Sequence, residues 1–483
     1  MKEKGKIFGF KIREFACFYL IAVIYLLIFS AYTSPLYPDF YSWDSPFFML
    51  VGKMMNSGTE LYSGIFDDKG PVIFLINACG YFIGERNGVF FIQTLFLLAD
   101  ICIMRKISEL FTEKKSVIYL PIAASLIYLA FPLADGNTCE EYNIPFILIS
   151  FYFLLSDLKK EKPEFCHSII YGIGIAICAF TRVTNGVSIF VIVLFWIIYL
   201  IRAKRLKELS LNLLFGLAGI LIIAIPVLLY FAVKGNLEEM IFDVFTINFS
   251  YASNSVYLNS WRNLSVLAHM IINFSPLLAG ILVFFLKIKE RDIKTAMILV
   301  TFLNIPVLML GGGYNHYFAI VLPITLILFL ISFDDLKIKT LSALVSIYIA
   351  LLYFILAVRI IFVNSYDCYI SNDYRNEFET VRDDCAKIPE AERNSILGYN
   401  MAPKYYMMGN IIPCFKYASF QDIWMNEIQE IGDEMRAYMD NTPPTWIIVE
   451  DDYHNEWLQG VVDEKYELKI TDPYLKFYRL NAD

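Results

Sequence analysis

The sequence predicts an all-α polytopic membrane domain with a small carboxyl-terminal α/β domain outside the membrane. The membrane part should hold about eleven transmembrane helices plus interfacial helices on its outer face. Three observations predict this. Of 483 residues, 57% are hydrophobic and 18% charged, where a soluble chain carries about 25% charge. The apolar residues come in long blocks bounded by Lys or Arg, at a mean hydropathy of +0.53, which is the pattern of membrane spans. After Val363 the composition turns sharply polar and acidic.

The first block, residues 15–33, is long enough to span and no A-x-A-like cleavage site follows it, so it reads as a retained helix. Further spans are expected at 89–104, 117–133, 142–155, 168–180, 187–201, 211–233, 264–286, 295–310, 317–331 and 341–363. Lys2, Lys4, Lys6, Lys11 and Arg13 precede the first span and assign the amino terminus to the cytoplasm. The same rule puts the clusters around Arg105/Lys115, Lys159/Lys162, Arg202/Lys207, Lys287/Lys294 and Lys337/Lys339 on that side. Residues 71–84 are too short to cross and are interrupted by Asn77 and Gly80. They read as an interfacial or half-inserted helix on the outer face. The odd number of crossings leaves the tail outside, giving a transmembrane domain 1–363 and an extracytoplasmic domain 364–483. In the tail, 395–398, 446–449 and 476–480 read as strands and 422–439 as a helix.

Nine cysteines include no C-x-x-C pair, and Cys17, Cys79, Cys102 and Cys178 lie in apolar stretches. Cys368 and Cys385 could pair if the tail faces an oxidising compartment, although Cys414 leaves an odd count. There is no basic nucleic-acid patch, P-loop or G-x-G-x-x-G, so no nucleic-acid partner is expected.

The chemistry concentrates in the outer loops. The first runs Trp43-Asp44-Ser-Pro-Phe-Phe and on to Asp67-Asp68-Lys69-Gly70-Pro71, with an amphipathic segment over 46–55. The second is Asp135-Gly-Asn-Thr-Cys-Glu140-Glu141-Tyr-Asn-Ile-Pro145. Both precede apolar segments, so their carboxylates should lie at one membrane depth. Carboxylates beside a lysine there suit one reaction: a carboxylate deprotonates an acceptor hydroxyl while cations hold a phosphate leaving group. A polyprenyl-phosphate sugar would present its phosphate at this level.

The two motifs together resemble bacterial membrane glycosyltransferases of the GT-C type, in the aminoarabinose-transferase and protein-mannosyltransferase-like superfamily. The resemblance runs through the membrane part, and its implications are specific to residues. Asp44 is similar to the catalytic base of the first outer loop. Lys69-Gly70-Pro71 resembles the element that contacts the lipid phosphate. Glu140 and Glu141 match the second acidic motif. Arg182, in the break Phe180-Thr-Arg182-Val-Thr-Asn-Gly186, resembles a basic residue between two short helices. His316 and Tyr317, in Gly313-Tyr-Asn-His316-Tyr317, resemble a late outer-facing motif that helps bind the donor. This chain has Lys-Gly-Pro where some members have Lys-Pro-Pro, and its tail is short.

Plainer roles stand beside these. Asp44 could cap a helix, Lys69 could snorkel, Arg182 could cap a broken helix, and Asp135 reads as a turn residue. His316 could serve as an interfacial hydrogen-bonding residue. Asp67 and Asp68 could hold a divalent metal ion or form a solvated turn. One of Glu140 and Glu141 should face the cavity while its neighbour is solvated. Asp100 should pair with Arg105 or Lys106. The leading function is an inverting glycosyltransferase that takes a sugar from a polyprenyl-phosphate donor to an extracytoplasmic glycan, lipid or protein. A transporter or flippase of lipid-linked glycans, or a glycan polymerase, is the alternative. The transporter would be signalled by charges deep within spans.

Overall fold

The computed structural model describes residues 6–7, 10–37, 44–133, 136–160, 163–248, 256–260, 262–334, 340–371, 373–451, 453 and 455–481. Asp135, Lys162, Lys337 and Lys339 lie outside the described residues. The chain divides into two compact units. One comprises residues 1–34, 68–73 and 90–362, and the other 35–67, 74–89 and 363–483.

A two-residue hairpin, β1 (Lys6–Ile7) and β2 (Phe10–Lys11), leads into α1 (Ile12–Phe29). The elements that follow are α2 (Asp44–Asn56), α3 (Pro71–Glu109), α4 (Lys115–Ala130), α5 (Cys139–Lys159), α6 (Phe165–Ala179), α7 (Val187–Arg202), α8 (Leu206–Lys234) and the short α9 (Leu237–Ile241). Then come α10 (Leu264–Lys287), α11 (Arg291–Leu308), α12 (Leu322–Asp334) and α13 (Leu341–Tyr369). Each stretch the sequence marks as a span lies largely on one of these helices, the one at 317–331 beginning in a 3-10 helix, Asn315–Val321, that leads into α12. Among the described residues, seven helical stretches are long and apolar enough to cross a membrane. The chain is a polytopic membrane protein.

In the first unit, Leu326, Ile327, Leu328 and Phe329 of α12 are fully buried, so this helix is central. α8 is the opposite case: apolar all round, with only Gly219 and Phe231 buried. Glycines let it approach α6. A Cβ on Gly172 would come within 2.0 Å of the Gly216 carbonyl oxygen, and one on Gly219 within 2.1 Å of that of Ile169. Such small-residue contacts hold helices together in lipid, where apolar faces gain nothing from pairing.

α3 is not one straight rod. Gly84 is extended (φ −179°) and Glu85 is left-handed (φ 52°). A Cβ on Gly88 would lie 2.0 Å from the Gly80 carbonyl oxygen, whereas residues eight apart on a continuous helix are separated by about 12 Å. The chain therefore folds back, which separates the short segment 71–84 from the span that follows. Phe82 and Ile83 at its tip are exposed.

Asp100 departs from expectation. Arg105 pairs with Glu14 and Glu109, and Lys106 with Glu109. The Oδ1 of Asp100 is buried with no partner. Residues five apart on a helix point about 140° away from each other, so proximity in sequence does not bring Asp100 to Arg105.

In the second unit, residues 35–67 and 74–89 pack with the tail. The Phe66 N–H donates to the Lys416 carbonyl at 3.0 Å, and its ring meets Tyr417 and Trp424 edge-on. α2 is less amphipathic than the sequence suggests, being buried from Ser45 to Gly52. The reason is the first arm of α3, which approaches so closely that a Cβ on Gly52 would lie 2.7 Å from the Ala78 nitrogen. The tail forms β3 (Ile396–Gly398), β4 (Trp446–Glu450), β5 (Tyr466–Thr471) and β6 (Leu475–Leu480), in the sheet order β3-β4-β6-β5. β3 and β4 are parallel, with Ile396 opposite Trp446, and the other pairs are antiparallel. The helices are α14 (Asp373–Ala386), α15 (Pro403–Met408), α16 (Gln421–Glu427), α17 (Gln429–Asn441) and α18 (Glu456–Lys465). The expected single helix at 422–439 is two, because Ile428 is extended. Cys368 and Cys385 are buried and no disulfide joins them, so the expected pairing is not formed.

Candidate functional site

The site in the first unit starts from a backbone contact. Gly70 caps α3 and Pro71 takes its first position, where the missing N–H costs nothing. The Gly70 N–H donates to the Thr181 carbonyl and the Val72 N–H to the Phe180 carbonyl, both at 2.9 Å. A Cβ on Gly70 would sit 2.2 Å from the Phe180 carbonyl group. Lys-Gly-Pro in place of Lys-Pro-Pro thus has a local cause: proline at 70 would lose the bond to Thr181 and collide with Phe180.

This pairing sets Lys69 beside the Arg182 segment. Asp68, Lys69, Gly70, Thr181 and Arg182 all line one cavity of about 250 Å³. The Lys69 ammonium pairs with Asp68, and the Asp68 carbonyl accepts from Asn248 Nδ2 at 2.6 Å. Arg182 is extended between α6 and a 3-10 turn, Val183–Gly186. Its Nη1 donates to Glu140 Oε1 at 2.6 Å, and its guanidinium carbon lies 3.3 Å from the centre of the Tyr317 ring. Burial works against the Arg182 charge, but Tyr317 and Glu140 outweigh it and hold the group protonated above its ordinary value. The bond to Glu140 uses one of the five guanidinium donors.

His316 meets Tyr317 edge-on at 4.8 Å and stacks on Tyr314 at 5.6 Å. It is close enough to Glu140 to act on its charge. The structure therefore brings Glu140, Arg182, His316 and Tyr317 together, and of these Arg182 lines the same cavity as Lys69.

Glu141 points elsewhere, since successive side chains on a helix diverge by about 100°. Its two carboxylate oxygens accept from Gln93 Nε2 at 3.1 and 2.8 Å, and Oε2 accepts from the Asn137 N–H at 2.8 Å. It is 3% exposed, so the solvated neighbour that the sequence suggests is instead buried. Thr138 caps α5 by accepting from the Glu141 N–H. The turn before it needs left-handed residues, Gly136 (φ 90°) and Asn137 (φ 56°).

Asp44 and Asp67 belong to the second unit. Asp44 is the half-buried first residue of α2 and the acidic residue of its first turn. Among the described residues, neither Asp67 nor Asp68 joins a group of three potential metal ligands. A divalent ion at Asp68 would compete with the Lys69 ammonium. Sequence reading missed Gln93, Asn137 and Asn248. Only Asn137 left a signal, in the turn-forming Gly-Asn pair; the other two are single amides in apolar surroundings.

A family model described as "Putative competence-induced protein Ccs4 N-terminal domain" matches residues 9–370. No curated protein matches the chain. Among solved structures, the chain is similar to ArnT from Cupriavidus metallidurans bound to undecaprenyl phosphate, with 10% identity and a TM-score of 0.63 over 97% of this chain and 98% of that one. The apo state of the same protein gives 12% identity and a TM-score of 0.62, covering 97% of each chain. The archaeal oligosaccharyltransferase AglB from Archaeoglobus fulgidus, in complex with an inhibitory peptide and a dolichol-phosphate, gives 12% identity and a TM-score of 0.53 over 90% of this chain and 69% of that one. The chain has the fold of ArnT and AglB.

Proposed function

The chain belongs to the competence-induced Ccs4 N-terminal domain family, and we propose that it is a membrane glycosyltransferase using a polyprenyl-phosphate sugar. The observation that carries this reading is the pair of cations, Lys69 and Arg182, on one cavity and joined through backbone hydrogen bonds. Two cations at fixed spacing suit a phosphate, and ArnT and AglB were each solved with a polyprenyl phosphate bound.

In this reading the acceptor hydroxyl attacks the anomeric carbon from the side opposite the phosphate. The new bond is acceptor oxygen to carbon, and the carbon–phosphate-oxygen bond breaks with inversion. The phosphate keeps the electron pair, and Lys69 and Arg182 carry its charge. Asp44, the match to the family's base, takes the hydroxyl proton. Glu140 and Tyr317 hold the Arg182 guanidinium. The reaction faces away from the cytoplasm, with the amino terminus cytoplasmic and the tail outside. The acceptor is a glycan, lipid or protein.

The test is to incubate purified protein with a panel of polyprenyl-phosphate sugars and measure release of polyprenyl phosphate. No release from any donor, with the acceptor pool of the native envelope added, would reject the enzyme. One observation favours the transporter reading: Asp100 is a buried carboxylate within an apolar helix. Movement of lipid-linked glycan across reconstituted vesicles without sugar transfer would select it.

A further inference from the structure

The α5–α6 connection gathers a second set of reactive side chains that the transfer reaction does not use. Asp157 is fully buried, and both its carboxylate oxygens lie 2.9 Å from His167 Nδ1. A carboxylate only accepts, so Nδ1 carries the hydrogen and Nε2 presents its lone pair. The imidazole plane is fixed as well, because Phe153 stacks on it at 3.8 Å and 12°. Asp157 also accepts from the Glu164 N–H at 3.3 Å. One buried carboxylate therefore orients two residues.

His167 Nε2 lies 3.9 Å from Glu164 Oε2, and Cys166 Sγ lies 4.0 Å from the same oxygen. The other Glu164 oxygen takes the Lys160 ammonium at 2.9 Å, which turns Oε2 toward the imidazole and the thiol. One ligand atom from each of Glu164, Cys166 and His167 lies within 4.8 Å of the others. Around tetrahedral zinc, with bonds of about 2.0–2.3 Å, such donors stand about 3.3–3.6 Å apart. The three need to close by well under the length of a bond.

We infer that Glu164, Cys166 and His167 bind a divalent metal ion of the zinc class, with Asp157 as the positioning residue behind His167. The thiolate and imidazole select against magnesium and calcium, which prefer oxygen donors. A buried carboxylate on the far nitrogen of the histidine is the usual support for a zinc-bound imidazole. On binding, the Cys166 thiol loses its proton to solvent and a water completes the tetrahedron. The site closes one end of the α5–α6 hairpin. The other end carries Glu140 at the start of α5 and Arg182 just past α6. The metal thus pins the register of the two helices that bring this ion pair together.

The experiment uses full-length protein in detergent, stripped with chelator and titrated with Co²⁺ and Zn²⁺. One equivalent of Co²⁺ should give the absorption of tetrahedral cobalt, with a thiolate charge-transfer band that Zn²⁺ removes. Cys166→Ser should lose the charge-transfer band. His167→Ala should lose stoichiometric binding, and Asp157→Asn should weaken it ~10–100-fold. Cys166 and Glu164 are on the surface of the unit, so Cys166→Ser and Glu164→Gln test the site even if a change at the buried Asp157 impairs folding. A cobalt spectrum unchanged in Cys166→Ser and His167→Ala, or no stoichiometric binding by the wild type, overturns the inference.

Discussion

Arg182→Met removes the charge from the most buried ion pair of the candidate site while keeping much of the side chain's length. Glu140 is 1% exposed and its Oε1 lies 2.6 Å from Arg182. Taking away the cation breaks a buried ion pair and leaves the Glu140 carboxylate with only His316 acting on its charge, which costs about 3–5 kcal/mol. Loss of the contact with Tyr317, centred at 3.3 Å, adds about 0.5–2 kcal/mol. Glu140→Gln should cost less, because Arg182 keeps Tyr317 and a neutral hydrogen-bond acceptor. The double variant should then recover most of the Arg182→Met loss, giving a coupling energy of about 2 kcal/mol or more. The assay is denaturant unfolding of the detergent-solubilised protein, for all four members of the cycle. The sign with pH is also set. Arg182 is one of the groups that lower the Glu140 pKa against burial, so the folded pKa of Glu140 lies higher in the variant than in wild type. The deficit of Arg182→Met relative to wild type is therefore smallest at low pH and grows as pH rises. An Arg182→Met protein within about 1 kcal/mol of wild type, or a double variant that is merely additive, would refute the reasoning.

Lys69→Ala should weaken binding of the polyprenyl-phosphate donor by about 1.5–3 kcal/mol and leave acceptor binding alone; Lys69→Arg should rescue partly at best. Unchanged donor affinity in a titration would remove Lys69 from the phosphate site. Gly70→Ala forces a Cβ to within 2.2 Å of the Phe180 backbone, so donor affinity should fall in this variant too, although no charge is lost. Asp44→Asn should leave folding intact and slow transfer by ~10²–10⁴-fold, and near-normal turnover would return Asp44 to a helix cap. Cysteines placed at Gly84 and in the tail should label from the extracytoplasmic face, and labelling only from the cytoplasm would reject the eleven-span reading.

The membrane helices were legible because hydrophobic blocks and Lys/Arg boundaries are long-range signals that survive without any partner. The break after 71–84 was legible too, since Asn77, Gly80 and the missing length all argue against a crossing. The site was legible as a set of residue types, and the structure brings Glu140, Arg182, His316 and Tyr317 together. What stayed hidden was direction. Nothing in Glu140-Glu141 says which carboxylate meets Arg182; the Thr138 cap and the Gly136-Asn137 turn decide that by setting the phase of α5. Asp100 misled because sequence proximity to Arg105 ignores the helix angle. β5 was missed because its residues are mostly exposed and its pairing with β6 is antiparallel across a short turn, with little apolar pattern to betray it. The partition of residues 35–67 with the tail follows from contacts such as Phe66 with Tyr417 and Trp424, which pair residues hundreds of positions apart.

The Gly70–Thr181 and Val72–Phe180 hydrogen bonds bear on how a ligand could leave. Lys69 and Arg182 each neighbour a residue in this two-rung ladder. Their backbones must therefore travel as one body, and no hinge can part them like jaws. A ligand gripped by both cations would have to slide out along the cavity past a rigid wall. Its rate of escape would then follow the competition of Asp68 and Glu140 for the same cations rather than the opening of a lid.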